Sequence, residues 1–303
     1  MSYRIRPGRS FTAEVRAVAA AQLRLAIASF EEQPDGLHEA IHEARKKYKR
    51  VRALYRLIAA DAKDFFVREN ARLRDTAATL SLVRDATALI ETATYLQDHA
   101  LNPEEETALA HARAALTARR DALAAGEHDL PEKAQAASES CREAIAALSH
   151  LTFDDAPRKT ARRLARGWRK NLSRARTALA ACHTSAHAEV FHELRKSAQT
   201  YWMHLSLLRD VWPSAMAAKR AEAKALFTTL GHEHDLALLV ALLDSEPGIL
   251  GGGAELSHLL GVIIRQQQEL RRTALHLAEQ IFADTPERES MIIEALWTAA
   301  ATE

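Results

Sequence analysis

The chain is poor in turn-formers. Its 303 residues include 10 glycines and 8 prolines, where average usage would give roughly 21 and 15. Few breakers beside abundant Ala, Leu, Glu and Arg mean long helices with few connections. An all-β fold and a glycine-rich nucleotide-binding α/β fold are thereby disfavoured. Cysteine is almost absent: Cys141 and Cys182 fit no metal-ligand spacing and supply no disulfide framework, which suits a reduced interior. The opening residues Met1-Ser2-Tyr3-Arg4-Ile5-Arg6-Pro7 lack the apolar core of a secretory signal. No run approaches the 18 or more uninterrupted apolar residues of a membrane span. These absences lead us to expect a soluble cytoplasmic protein. Charge of one sign is also lacking, with 41 Lys+Arg against 40 Asp+Glu and a formal net charge of +1. Taken alone, that total argues against a polyanion-binding protein.

An internal repeat is what the chain does have. Residues 39–46 read Glu-Ala-Ile-His-Glu-Ala-Arg-Lys, and residues 189–196 read Glu-Val-Phe-His-Glu-Leu-Arg-Lys. The same offset of 150 pairs Leu57 with Leu207, Thr79 with Thr229, Leu80 with Leu230, Asp85 with Asp235 and Leu89 with Leu239. We therefore expect one domain, 1–303, made of two similar halves, 1–150 and 151–303. Ile41, Ala44, Tyr48, Val51, Tyr55 and Ile58 recur at helical spacing, as do Phe191, Leu194, Ala198, Tyr201, Leu205 and Leu208. Breaks are expected at Pro34-Asp35-Gly36, Asn102-Pro103, Leu130-Pro131, Asp154 to Pro157, Trp212-Pro213, Pro247 to Gly253 and Thr285-Pro286. The last glycines of the sixth break, Gly251-Gly252-Gly253, read as a flexible loop. Antiparallel helical bundles are the natural packing for such segments. Asp154 or Asp155 is a candidate cap for the helix opening the second half. Trp168, Trp202, Trp212 and Trp297 are expected in the core.

Charge is segregated along this pattern. Seven Lys/Arg lie between His42 and Arg56 against one acid, Glu43, and nine lie between Arg158 and Arg176 with no acid. His42, Arg45, Lys49, Arg52 and Arg56 form one helical stripe; Arg162, Arg166, Arg169, Ser173 and Arg176 form another. Neighbours on a stripe are about 5–6 Å apart, and like charges there cost a few tenths of a kcal/mol per pair. A bound polyanion would supply the missing counter-charge. A solvated face paired with acidic helices is the structural alternative.

These residues resemble a known family, the histidine-containing α-helical domain called CHAD. The resemblance rests on His42-Glu-Ala-Arg45-Lys46 and His192-Glu-Leu-Arg195-Lys196, each opening an amphipathic helix. It rests also on Leu80-Ser-Leu-Val-Arg84-Asp85 and Leu230-Gly231-His-Glu-His-Asp235 one helix later, and on the basic helix with Arg174 and Arg176. It spans about residues 5–280. It implies an all-α fold of two pseudo-symmetric antiparallel four-helix bundles, with a basic groove or channel for inorganic polyphosphate. No catalytic reaction, cofactor or metal is implied; association with polyphosphate granules is. The residues expected to bind polyphosphate are His42, Arg45, Lys46, Lys49, Arg52, Arg56, Arg162, Arg166, Arg169, Arg174, Arg176, His192, Arg195 and Lys196. His42 and His192 are either ligand donors or bundle residues that orient a neighbouring Arg or Asp. The second copy departs from the first, with Gln199, Thr200 and Trp202 standing where Lys49, Arg50 and Arg52 stand. Leu172 replaces an aromatic that members often have. No Glu-x-Glu-x-Lys signature of a triphosphate-tunnel domain is present.

Other readings are weaker. Nucleic-acid binding would use the same stripes, but the aromatics fall mostly at apolar helical positions rather than among the basic ones. His38-Glu39-Ala-Ile-His42 spells the zincin pattern, yet position 188, equivalent to His38, is Ala188. His232-Glu233-His234-Asp235 suggests a metal-dependent phosphohydrolase, but its counterpart is Leu82-Val83-Arg84-Asp85 and only the Asp recurs. Asp85 and Asp235 read better as bundle residues bonded to a helix end or an Arg.

Overall fold

The structure, a computed structural model, describes residues 3–80, 82–250 and 253–302. Among them are eleven α-helices and no strand. In chain order they are α1 (Phe11–Glu32), α2 (Leu37–Ile58), α3 (Lys63–Thr79), α4 (Leu82–Gln97), α5 (Pro103–Gly126), α6 (Leu130–Ala147), α7 (Pro157–Thr184), α8 (Ala188–Leu207), α9 (Pro213–Ser245), α10 (Ala254–Ile281) and α11 (Pro286–Ala300). Prolines open several of them for the expected reason: the missing N–H costs nothing at the first helical position. Asn102 and Thr285 cap α5 and α11, their side chains accepting from the Glu105 and Arg288 amides. Gly253 precedes α10 at φ 89°, a conformation that suits glycine; Gly251 and Gly252, with which it was read as a loop, and Ser81 of the α3–α4 motif lie outside the described residues.

Two local expectations are corrected. Neither Asp154 nor Asp155 caps α7: Ala156 is its N-cap and makes no side-chain bond. Asp155 instead accepts from the Ser10 hydroxyl at 2.5 Å and the Thr12 amide at 2.9 Å, tying the start of α1 to the start of α7. Trp168 and Trp297 are buried, but Trp212 is 52% exposed where the chain enters α9. Trp202 is half-buried and stacks on Phe227 at 5.6 Å between centroids.

Helix starts recur near the offset of 150: Leu37 with Ala188, Lys63 with Pro213, Pro103 with Ala254. The interior is not divided at that boundary. One apolar core takes side chains from α1, α2, α3, α6, α7, α8, α11, the first half of α9 and the end of α10. A second joins α4 and α5 to the later half of α9 and to α10. α9 runs unbroken through both, about 50 Å at 1.5 Å per residue, whereas the first half breaks between α3 and α4. By length and mean hydropathy α9 meets the requirement for a membrane span, which no segment was expected to do. Its inward leucines Leu226, Leu230, Leu236 and Leu239 are nonetheless fully buried against neighbouring helices.

The halves meet where α2 crosses α7 and α8. Gly167 of α7 lies against the backbone of Leu57 in α2, and a Cβ there would overlap the Leu57 carbonyl oxygen. Beside it, buried His204 of α8 faces the Ala53 carbonyl of α2, its Nε2 3.0 Å from the oxygen. Burial is the main reason its imidazole is held down to about 4, so it is neutral and serves as a packed donor. Buried Glu289 of α11 accepts from Tyr201 of α8 at 2.6 Å and Trp168 of α7 at 3.3 Å, locking the second half around this crossing.

Gly167→Ala should therefore lower stability by about 2 kcal/mol or more, since backbone cannot move aside as a side chain can. Gly261→Ala is the opposite case, because nothing surrounds its Cβ direction within 4 Å. There the better helix former should add about 0.5–1 kcal/mol. Denaturant unfolding of both variants checks the pair.

Candidate functional site

The basic face of α2 is set by its amphipathic pattern. Ile41, Ala44, Tyr48, Val51 and Tyr55 are buried, and this turns His42, Arg45, Lys49, Arg52 and Arg56 toward the seam where α2 adjoins α4, α7 and α8. At the upper end of the seam the two copies of the repeated motif come together. Arg45 stands 3.5 Å from Asp85 of α4, and Arg195 of α8 faces Asp235 of α9. Asp85 is thus paired with the arginine of its own copy, whereas Asp235 only acts on Arg195 through its charge and leaves the buried Arg195 Nε without a hydrogen-bond partner among the described residues.

His42 is settled by its partner. Its Nδ1 accepts from Arg84 Nε at 2.8 Å, while the other end of the Arg84 fork reaches Glu91 at 3.0 Å. Burial first, then Arg84, pushes the His42 pKa down, so this ring is a neutral orienting residue. In the second copy His192 packs on His234, with centroids 4.4 Å apart. Arg84 and His234 were not among the residues expected at the site, although both stand in the duplicated segment at the same offset of 150.

Lys49 stands between these copies. Its side chain is exposed to solvent but recessed among Arg195, Arg45 and Arg84, with Asp235 the acid in reach. Desolvation chiefly, and the arginines next, push its ammonium pKa down to about 8. Two helical turns further along, Arg56 faces Arg52 and Arg174. Burial and those two guanidinium groups push Arg56 down to about 10, and no acid opposes them. Arg52 donates to Asn70 at 3.0 Å, a neutral partner. Arg56 and Arg174 line a groove of about 640 Å³ between α7 and α8 with Lys196, Glu193, Asn171, Ser173, Thr177 and Thr200. Lys196 is paired with Glu193, as Lys46 is with Glu43 at 2.5 Å.

The α7 stripe lies elsewhere. Arg162, Arg166 and Arg169 line a separate recess of about 550 Å³ against α11, together with Asp61, Glu287 and Glu294. Arg166 is paired with Asp61, and Arg162 is 3.6 Å from Glu294. The expectation that Arg176 binds a ligand is corrected: its Nη1 donates to the Phe282 and Asp284 carbonyls at 2.9 Å, capping the end of α10. Arg174, about 120° around the helix from Arg162 at 100° per residue, is the α7 residue turned toward α2.

The residues of the two metal readings are engaged by other partners. Glu39, His42 and Glu43 approach closely enough to hold an ion, but Glu43 carries Lys46 and Lys47 and His42 Nδ1 carries Arg84. The four side chains from His232 to Asp235 diverge: His232 stacks on Tyr95, Glu233 accepts from Arg271, His234 meets His192 and Asp235 faces Arg195.

Fold and site together define an all-helical protein in which Arg56 of α2 faces Arg174 of α7. Residues 17–244 match the family model of the CHAD domain, and no curated protein matches the chain. The chain belongs to the CHAD domain family; the match ends within α9, before α10 and α11, which complete the two cores.

Because Lys49 titrates lower in the folded protein than in the unfolded chain, the unfolded chain binds more protons between about 8 and the ordinary lysine range. Stability should rise with pH through that window. Lys49→Met should add about 1 kcal/mol at pH 7, discounted because solvent reaches the ammonium, and should flatten the rise. Unfolding free energies measured from pH 7 to 10 check both.

Proposed function

We propose that the chain binds inorganic polyphosphate, without turning it over, along the seam from Lys49 to the Arg56–Arg174 groove. The observation that carries this reading is the convergence of Arg52, Arg56 and Arg174 from α2 and α7 with no carboxylate against Arg56. A fold that brings like charges together from separate helices accepts a cost in stability that a bound anion reverses. A repeating phosphate chain suits the layout: guanidinium groups grip phosphate oxygens in pairs, an ammonium serves as a point charge, and hydroxyls and an amide edge the groove. Family membership supports the same reading. Binding rather than hydrolysis goes with the bond from Arg84 that occupies His42 Nδ1 and the pairing of Asp85 with Arg45. A cytoplasmic setting, at polyphosphate granules, accords with this role.

Structure alters the expected contact set. Lys49, Arg52, Arg56 and Arg174 are the strongest candidates, with Lys196 at the groove edge. Arg45 is paired with Asp85, Arg195 adds a cation beside Lys49, and Arg162 and Arg166 are largely neutralised in their own recess.

Titration of long-chain polyphosphate at several salt concentrations tests the proposal. With about five phosphates neutralised, log affinity should fall against log salt with a slope of roughly −3. Arg56→Glu with Arg174→Glu should weaken binding roughly 100-fold while helicity by circular dichroism is kept, since the new acids meet Arg52. Arg176→Ala should instead lower stability by about 1–2 kcal/mol and leave affinity unchanged. Salt-insensitive binding, or full affinity in the double variant, overturns the reading. Equal competition by single-stranded nucleic acid would redirect it to general phosphate-backbone binding.

A further inference from the structure

The two copies of the motif are not electrically equivalent. In the first, Arg84 holds His42 at 2.8 Å and carries its own acid, Glu91. The positions 150 residues later are His234, His192 and Ala241: a titratable ring replaces the permanent cation, and the compensating acid is gone. His192 and His234 lie ring on ring, their centroids 4.4 Å apart and planes 32° apart. His192 Nδ1 is buried with no hydrogen-bond partner among the described residues. A guanidinium satisfies the corresponding nitrogen of His42.

We propose that His192 and His234 form a proton-dependent phosphate subsite at the second-copy end of the seam, so that the protein takes up a proton as it binds polyphosphate there. This rests on the polyphosphate reading.

The surroundings carry the argument. On α8 the groups facing His192 are Lys196, Arg195, Glu189 and Glu193, and Glu193 is already paired with Lys196. His234 faces Arg195 and His192 of α8 and Lys49 of α2. On α9 itself, Asp235 is the acid whose charge acts on Arg195, and Arg271 of α10 is held by Glu233. Arg84 and Glu91 of α4 lie on the far side, around Asp235. The field at the ring pair is therefore positive and the rings are half-buried, so both are neutral in the free protein; burial pushes His234 down to about 4, with Arg195, His192 and Lys49 adding to it. An anion seated on Lys49 and Arg195 reverses that field. One ring can then accept a proton and donate to a phosphate oxygen. A group that binds its proton more tightly in the complex makes the complex tighter as pH falls. Lys49 titrates about 8, above this window, so its loss of charge weakens binding separately, on the alkaline side.

Calorimetric titration of the full chain with long-chain polyphosphate at pH 5.5, 6.5 and 7.5, at fixed ionic strength and in buffers of different ionisation heat, tests the proposal. Affinity should rise roughly tenfold from pH 7.5 to 5.5, the gain for a ring that binding restores to about the ordinary imidazole pKa. About half a proton should be taken up per seam at pH 6.5. His234→Arg, which reproduces the first copy, should bind at pH 7.5 as tightly as the wild type does at 5.5, with neither pH dependence nor proton uptake. His192→Gln, which tests the partner ring, should keep the pH 7.5 affinity and lose the acid gain. Tight binding that is independent of pH in the wild type, or a pH dependence that survives both substitutions, overturns this inference and leaves polyphosphate binding standing. No binding at any pH in low salt overturns both.

Discussion

Everything at the seam depends on how closely α2 and α7 can approach. Gly167 lets the α7 backbone rest on the Leu57 carbonyl, and any side chain there would push the helices apart. That contact, with the His204–Ala53 bond beside it, holds the basic side of α2 against the helices of the second half. Arg56 and Arg174 face each other only because the crossing is tight. The electrostatic strain is thus imposed by packing, in which the buried tyrosines and leucines of α2 outweigh repulsion among partly solvated guanidinium groups.

The second constraint is the sharing of cores. Since α4 and α5 pack with the later half of α9 and with α10, neither half encloses its own interior. The seam lies between two cores that both halves build, and α9 passes through each. The duplicated acids Asp85 and Asp235 approach from α4 and α9, while the duplicated arginines approach from α2 and α8. This crossed arrangement sets an acid opposite each arginine and leaves Lys49, which has no basic counterpart at Gln199, between the two copies.

Helices and their boundaries were largely legible. Spacing of apolar residues placed α2 and α8, and Pro103, Pro157, Pro213 and Pro286 each open a helix. The break between α2 and α3 was not legible, because no proline or glycine marks residues 59–62. At the site, helical spacing picked out Arg56 and the family resemblance supplied Arg174, and both were treated as equivalent to the α7 stripe. Which arginines meet an acid depends on α11, distant in sequence, whose Glu294 lies near Arg162. Arg176 reads like any other basic residue until the end of α10 arrives beside it with three bare carbonyls.

By itself the sequence determined that this protein is helical, that its motif is duplicated and that its charge is segregated, because periodicity, spacing and local composition are properties of neighbouring residues. Only tertiary structure decided which cations are neutralised, which histidine is an orienting residue and which stands unpartnered, and where the basic faces converge. The physical reason is distance: a charge is compensated by what lies within a few ångströms of it, and here those partners come from helices more than a hundred residues away, such as Asp61 for Arg163 and Phe282 for Arg176.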